Sequence, residues 1–497
     1  MAEYSYSSIT ESKDGKLIPL CYSDQGREIL LHSKYNPERE AEAFAAQTNA
    51  DCFFFVVLGL AGGYHVEKLI EKCPKAKILV IEKAKADITF LSRIPCVQKL
   101  MTDKRVIFSD IDSLETTLLS SYKPALHGNL TILALRQWEN IFKGSSDLCR
   151  EKINAALKLL AADFSVQSHF GKIWQKNILT NLSLAEKTLD FWEYRERLKK
   201  EACEKSNKID RTAAIIAAGP SLDESIKKLK AEREKYFIIA TDTAFSSLSK
   251  AGIKSDAVVS IDGQMVSHEH YMGKLSGDTL FVFDLAANPS AIRKVLDFSE
   301  NVLLAESGHP LAQYASLFTG KRAFLHLDAG SGTVTIAAAS LAKKLGFEKT
   351  DFFGADFAYL EGRPYARGTY LENKFHSSSN RFSSAEEKYT AIMFRSPTIK
   401  VREGIISTEI LSAYKKSLKD FMSRKKEEKE TAEEHGKFCL KDFKSRYCKD
   451  LKSCFRSESD YDENSNAFMT LIPLCAKLGN GSAFLAYLKT LSYTERV

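Results

Sequence analysis

From about residue 210 to residue 375, short apolar runs alternate with helical stretches, a pattern that restricts this part of the chain to a mostly parallel sheet packed with helices. The spacing predicts strands at Ala213–Ala217, Tyr236–Ala240, Ala257–Ser260, Leu280–Phe283, Val302–Ala305 and Asp351–Phe353, with helices between most of them. A second region near the N-terminus follows the same logic. The run Asp51–Leu58 is continuously apolar from Cys52 onward, as expected of a parallel strand buried on both faces, and Gly59, Gly62 and Gly63 make the turn after it.

That N-terminal turn leads into a predicted helix over Tyr64–Lys72 and a strand over Ile78–Ile81 closed by Glu82. Strand, glycine turn, helix, strand and acid follow at about the spacing of a nucleotide-binding half of a doubly wound sheet, although the glycines read G-x-x-G-G rather than G-x-G-x-x-G. The arrangement resembles methyltransferase-like sheets, where such an acid binds ribose hydroxyls. A tight turn alone also explains the glycines, and the scaffold reading is the simpler one.

At 497 residues the chain exceeds what one core supports, since single cores stop growing near roughly 250–300 residues. Residues 145–208 are helical by period, with Ile153, Leu157, Leu160, Phe170, Ile173, Trp174, Ile178, Leu182 and Leu189 at three- and four-residue spacing, and a boundary is expected near Asn207. After about Ile399 the pattern turns helical again through Ile406, Ile410, Tyr414, Leu418 and Phe421; the charged run Arg424–Glu434 reads as an exposed extension, and a last helical stretch spans Ala467–Leu491. The expected fold class is α/β, divided into an N-terminal Rossmann-like domain (1–145), a helical connector (146–208), a central Rossmann-like parallel-sheet domain (209–395) and a helical C-terminal domain (396–497).

Composition narrows the function classes. The formal charge of +7, from 71 basic and 64 acidic residues, is spread along the chain without a basic arm, which argues against nucleic acid as a partner. Ten cysteines without C-x-x-C pairs indicate a reducing compartment. The N-terminus shows no basic-then-apolar signal, and the longest apolar run, Cys52–Leu58, is far short of the roughly 20 residues that span a bilayer. A cytoplasmic protein with no membrane insertion is expected.

The sharpest chemical feature is the apolar strand entering Gly219-Pro220-Ser221-Leu222 before a helix opened by Asp223 and Glu224. Such a turn aims backbone N–H groups outward at a helix N-terminus, where they attract phosphate. Gly219 would let an anion approach, Pro220 would set the turn and Ser221 would offer a hydroxyl; the structural alternative is Ser221 as an ordinary N-cap. Asp242 and Asp262 follow consecutive parallel strands, on the edge where ligands of open α/β sheets collect, or else they cap the following helices. A second small-residue turn, Gly330-Ser331-Gly332-Thr333, opens an Ala-rich helix, and the strand Asp351–Phe353 delivers Gly354, Asp356 and Tyr359. The loop Gly362–Gly368 brings Arg363, Tyr365 and Arg367 over these turns, suited to a diphosphate or a sugar-nucleotide phosphate. His268 and His270 read as surface or cap residues, and no zinc site is predicted.

Taken in order, GPSL, ATDTA, VVSID, GSGT before an Ala-rich helix, and GADFAYLEGRPYARGT resemble the motility associated factor family of flagellin glycosyltransferases. The helix carrying Phe170, Trp174, Asn177 and Asn181 and the GLAGGY turn fit that family too. The match covers most of residues 50–375. The central domain is also similar to bacterial sialyltransferases using CMP-linked nine-carbon acids and to archaeal 6-hydroxymethylpterin diphosphokinases. The resemblance implies transfer of a sialic-like nonulosonic acid, of the pseudaminic or legionaminic type, from a CMP-sugar to Ser or Thr of flagellin. It implies that Gly219, Pro220, Ser221, Asp242, Asp262, Ser331, Gly332, Thr333 and Gly354 line the nucleotide sugar, with Asp356 beside it and Tyr365 on the phosphate. Where the similar sialyltransferases have an earlier tyrosine, this chain has Ala358 followed by Tyr359. An inverting transfer needs a base, for which His376, Asp262 and Asp356 are the candidates. Mg²⁺ is compatible with this reading and not required by it.

Two other readings remain. A diphosphokinase would move pyrophosphate from ATP to a 6-hydroxymethyl pterin and would need a divalent ion, but the flanking domains are absent from the small pterin enzymes. A non-catalytic flagellin-binding factor could have kept the fold without the chemistry. The oligomeric state is not legible.

Overall fold

The computed structural model describes residues 4–23, 25–48, 52–204, 211–271, 275–330, 332–424, 435–458 and 460–497, without the side chains of 201–204 and 266. Two compact units emerge: Met1–Gly171 with Ile472–Ala486, and Lys172–Leu471 with Tyr487–Val497. The expected boundary near Asn207 lies outside the described residues, as does all of the expected charged extension beyond Arg424 up to Glu434.

The first unit opens with an antiparallel sheet of β1 (Tyr4–Glu11), β2 (Leu17–Ser23) and β3 (Glu28–Leu30), followed by α1 (Pro37–Ala46). Then come β4 (Phe54–Leu58), α2 (Tyr64–Lys72), β5 (Lys77–Glu82), α3 (Lys85–Leu91), α4 (Pro95–Met101), β6 (Val106–Asp110), α5 (Leu114–Ser121), α6 (Pro124–His127), β7 (Leu130–Ala134) and α7 (Arg136–Ile141). The four strands form a parallel sheet in the order β6-β5-β4-β7. Every residue of β4 is buried because both faces are covered. Phe54, Val56 and Leu58 pack with Trp138 and Ile153 on one side, Phe55 and Val57 with Leu69 and Val97 on the other.

Helix α8 (Lys143–Leu182) has its residues up to Gly171 in the first unit and the rest in the second. The second unit continues with α9 (Phe191–Glu204), β8 (Thr212–Ile216), α10 (Leu222–Ala231), β9 (Tyr236–Thr241), α11 (Asp242–Lys250), β10 (Ala257–Ser260), β11 (Leu280–Asp284), α12 (Pro289–Leu296), β12 (Val302–Glu306), α13 (Pro310–Leu317), β13 (Leu325–His326), α14 (Val334–Leu345) and β14 (Thr350–Phe353). All seven strands pair in parallel, in the order β13-β12-β11-β10-β9-β8-β14. The six expected strands are present, and the two-residue β13 was too short to leave a pattern. Ala337, Ala338, Ala339 and Ala342 of α14 are buried, which lets that helix lie close on the sheet. The chain steps from β8 out to β13 and returns to place β14 on the other flank of β8. Strand order therefore reverses between β8 and β14, and the loops leaving their carboxyl ends flank the crevice where open α/β sheets bind ligands.

Asn177 and Asn181 of α8 serve that edge as braces. Asn177 Nδ2 donates to the carbonyls of Gly263 and Ala286, both at 3.0 Å, and Asn181 Nδ2 to those of Leu285 and Ala287, both at 2.8 Å. These carbonyls belong to the loops after β10 and β11, so two buried amides position the acid-bearing side of the sheet.

Beyond the sheet come β15 (Tyr359–Leu360), α15 (Tyr370–Ser377), α16 (Ala385–Met393), β16 (Thr398–Arg402), β17 (Ile405–Thr408), α17 (Glu409–Ser423), α18 (Leu440–Cys454) and α19 (Asn466–Met469). Helix α20 (Ile472–Leu478) belongs to the first unit, and α21 (Ala483–Arg496) begins there and ends in the second. The helical pattern expected from Ile399 is corrected here. Residues 398–408 form a hairpin that joins β15 in the order β15-β17-β16, because β-branched residues flank a turn in which Gly404 takes φ +70°. Ile406 is thus a strand residue, and α17 starts only where the Thr408 side chain accepts from Leu411 N–H. Phe421 is buried and Leu418 packs beside it in the core under α14, whereas Ile410 is 55% exposed.

Helix α8 contributes to both units, and the described residues between 396 and 471 belong to the second. The nine described cysteines are free thiols. No described helix is long and apolar enough to cross a membrane.

Candidate functional site

The turns after β8 and β14 interlock. Gly219 N–H donates to Gly354 O (2.8 Å), and a Cβ on Gly219 would stand 2.3 Å from Asp356 Oδ2. Gly354 sits at φ +65°, where a Cβ would come within 2.2 Å of Ala217 O. Each glycine is therefore required by the facing turn, Gly219 by Asp356 and Gly354 O, and Gly354 by Ala217 O. At the start of α10, where the sequence nominates a phosphate, Ser221 N–H donates to an internal anion, Asp356 Oδ2, at 2.9 Å. Ser221 stands at the N-cap position but its side chain makes no capping bond, so the structural alternative for its hydroxyl is not realised either.

The loop from Gly362 to Gly368 is fastened to the same helix. Asp223 accepts from Arg363 Nη1 (2.5 Å) and from Arg367 N–H (2.8 Å), and Ala366 N–H donates to Ala218 O (2.8 Å). Arg363 is thus held by an internal carboxylate. Tyr365 lies on the other side of this loop, where burial raises its hydroxyl above the ordinary tyrosine range, and it lines a cavity of about 470 Å³ together with Glu372, His376 and Tyr389. His376 shares that cavity and does not line the surface carrying Ser221.

Ser221 instead lines a larger groove of about 1210 Å³. Its floor is Pro220, Ser221, Asp356 and Ala358; one wall is the β16–β17 hairpin with Arg402 and Glu403, and the other is α17 with Ser412, Lys415, Lys416 and Lys419. Phe357 is held at φ +49° on this surface, a left-handed conformation unfavourable to a bulky side chain, with Ser407 Oγ donating to its carbonyl at 2.9 Å. Sequence reasoning missed both walls. The Thr-Ile-Lys-Val-Arg and Ile-Ile-Ser-Thr runs around Glu403-Gly404 and the i, i+1, i+4 spacing of the lysines were the available signals.

The acids after β9 and β10 form a separate cluster. Buried Asp242 accepts from Thr243 N–H and Ser260 Oγ, both at 2.7 Å, while the helix cap is Thr241. Asp262 accepts from Gln264 N–H at 2.9 Å, and burial followed by the proximity of Asp242 holds its carboxyl above the usual range. Neither lines the groove at Ser221. His270, expected as a surface or cap residue, is buried edge-on to Tyr370 at 4.4 Å, and both line a cavity of about 490 Å³ with Lys250 and Glu269. No three His, Cys, Asp or Glu side chains gather at one point suited to a metal among the described residues.

The described residues of the second small-residue turn bond mostly within the turn and its helix. Gly332 N–H and Thr333 N–H both donate to Ala329 O, at 2.9 and 3.0 Å, and the Thr333 hydroxyl caps α14 by accepting from Ile336 N–H at 3.2 Å. Neither residue lines the groove, and Ser331 lies outside the described residues.

Residues 184–362 match the family model described as 6-hydroxymethylpterin diphosphokinase MptE-like. An uncharacterized protein of Treponema pallidum (strain Nichols) is 36% identical over 162 residues, which is 32% of this chain and 71% of that protein. The chain belongs to the MptE-like family. A second uncharacterized protein of the same organism is 38% identical over 151 residues, 30% of this chain and 53% of that protein, so the match spans about half of that relative. A solved structure of a MAf glycosyltransferase from Magnetospirillum magneticum AMB-1 is 14% identical with a TM-score of 0.48, covering 99% of this chain and 86% of that one. The MptE-like segment contains the Gly219–Ser221 turn, Asp242, Asp262 and Gly354–Asp356. It ends before Tyr365, the hairpin and the lysines of α17, so the MptE-like domain supplies the floor of the groove and residues beyond it supply both walls.

Proposed function

We propose that the groove over Ser221 and Asp356 binds a nucleotide-activated sugar and that the protein is a glycosyltransferase. In its specific form, this reading has a cytoplasmic enzyme moving a pseudaminic- or legionaminic-type nonulosonic acid from CMP to Ser or Thr of flagellin. The observation that carries it is the position of Ser221: a hydroxyl with no capping duty, on the floor of a groove of about 1210 Å³, at the carboxyl edge where strand order reverses. The motif resemblance over residues 50–375 supplies the donor and acceptor classes. Of the three groups nominated for proton transfer, only Asp356 lines this groove, and there it would accept a hydrogen bond from the acceptor hydroxyl as CMP leaves. Tyr365 and His376, sharing another cavity, would act in this reading only if the substrate extends around the loop that Asp223 fastens.

The family description favours a second reading, pyrophosphate transfer from ATP to a 6-hydroxymethyl pterin. The intact mass of flagellin from cells with and without the gene separates the two. Loss of one or more nonulosonic acid units supports the transferase, and an unchanged mass overturns it in favour of the pterin enzyme or a flagellin-binding factor without catalysis.

A further inference from the structure

We propose that the lysine face of α17 (Lys415, Lys416 and Lys419) is the phosphate-binding element of the groove, replacing the helix N-terminus that the sequence nominates. The inference rests on the reading of the groove as a site for a phosphorylated ligand and identifies which side of it takes the charge. Two independent observations carry it. The first is that the obvious anion site is filled: Ser221 N–H already donates to Asp356, and a phosphate at the start of α10 would meet that carboxylate. The second is the polarity of α17. Leu418 and Phe421 turn one side of this helix into the core under α14, and the opposite side, at i, i+1 and i+4, sets three ammonium groups along one wall of the groove.

Like charges at this spacing repel in the empty helix, and none of the three lysines makes an ion pair with another described residue. The groove nevertheless contains carboxylates, at Glu224, Asp356, Glu361 and Glu403. Cations and acids that line one groove without closing on each other suit a ligand with two ends: a phosphate for the ammonium groups and hydroxyls that donate to the carboxylates. A phosphorylated polyol has that chemistry, whereas a bare anion would be repelled by the acids.

The test uses the full chain and calorimetry with inorganic pyrophosphate, CMP and cytidine on the wild type and on K415Q/K416Q/K419Q, with thermal melting to confirm that the exposed substitutions leave the fold intact. The expected result is a loss of about tenfold or more in affinity for pyrophosphate and CMP, the scale of charge-assisted hydrogen bonds, with cytidine unchanged. Lysine-dependent pyrophosphate binding without CMP binding would sustain the phosphate site and sink the CMP reading. Equal CMP affinity in the folded triple variant would overturn the phosphate site and leave the CMP reading standing. Failure of the wild type to bind either probe at millimolar concentration would overturn both.

Discussion

The two parallel sheets carry the same device at a strand end and finish it differently. In each, an apolar strand runs into a glycine turn and a helix, and a carboxylate reaches back to a turn N–H: Glu82 Oε2 to Leu60 N–H at 3.0 Å in the first unit, Asp356 Oδ2 to Ser221 N–H at 2.9 Å in the second. Glu82 is fully enclosed, accepting also from Tyr6 OH (3.0 Å), Lys83 N–H (2.9 Å) and Trp138 Nε1 (2.6 Å). Asp356 instead faces a groove. Strand, turn and acid therefore do not separate a scaffold from a site; the residues that cover the acid do, and in the first unit those are Tyr6 and Trp138.

The largest expected effect comes from removing the cover of the closed turn. Trp138 is fully buried, and a Cβ on Gly59 would meet its side chain at 2.6 Å, so indole and turn are fitted to one another. Trp138→Ala should cost about 3–5 kcal/mol, as large core truncations do, read as a lower urea midpoint. A loss below about 1 kcal/mol would mean that the indole does not hold the turn closed.

The closed turn also contains a titrating group. His65 Nε2 donates to Gly59 O at 2.9 Å, and burial, followed by the proximity of His32, lowers its pKa to about 3. The folded value lies below the unfolded one, so the unfolded chain binds more protons and stability is lost as pH falls from near 6.5 toward about 3. At pH 5 this group should cost about 2 kcal/mol relative to neutral pH, and His65→Gln should flatten that part of the profile in urea melts. His127 and His309, also lowered to about 3 by burial, will keep the remaining slope. An unaltered profile in the variant would place the acid sensitivity elsewhere.

Much of the scaffold was legible before the structure, because continuous apolar runs such as Phe237–Ala240 are satisfied between two helical layers. The strand-end positions of Ser221, Asp242 and Asp262 follow from the same pattern. What decides the site was not legible. The Ser221–Asp356 bond joins residues 135 positions apart, and no local spacing encodes that approach. The hairpin at 398–408 was hidden because Ile406, Ile410, Tyr414 and Leu418 fall at four-residue intervals across a strand–helix junction, which imitates one helix. His270 read as a surface or cap residue because its packing against Tyr370, a hundred positions on, leaves no local pattern.

The smallest expected change in stability is the most informative about the open turn. A serine that caps a helix typically contributes about 1 kcal/mol, and Ser221 occupies the cap position. Its side chain makes no capping bond, however, while Asp356 accepts from the Ser221 N–H beside it and Asp223 N–H donates to Pro220 O. Ser221→Ala should therefore change the urea midpoint by the equivalent of less than about 0.5 kcal/mol while weakening CMP binding measurably by calorimetry. A destabilisation near the full capping value with unchanged CMP affinity would make Ser221 a structural residue in solution. The second turn would then resemble the first in kind, closed by its own carboxylate, and the groove would have to bind through its walls alone.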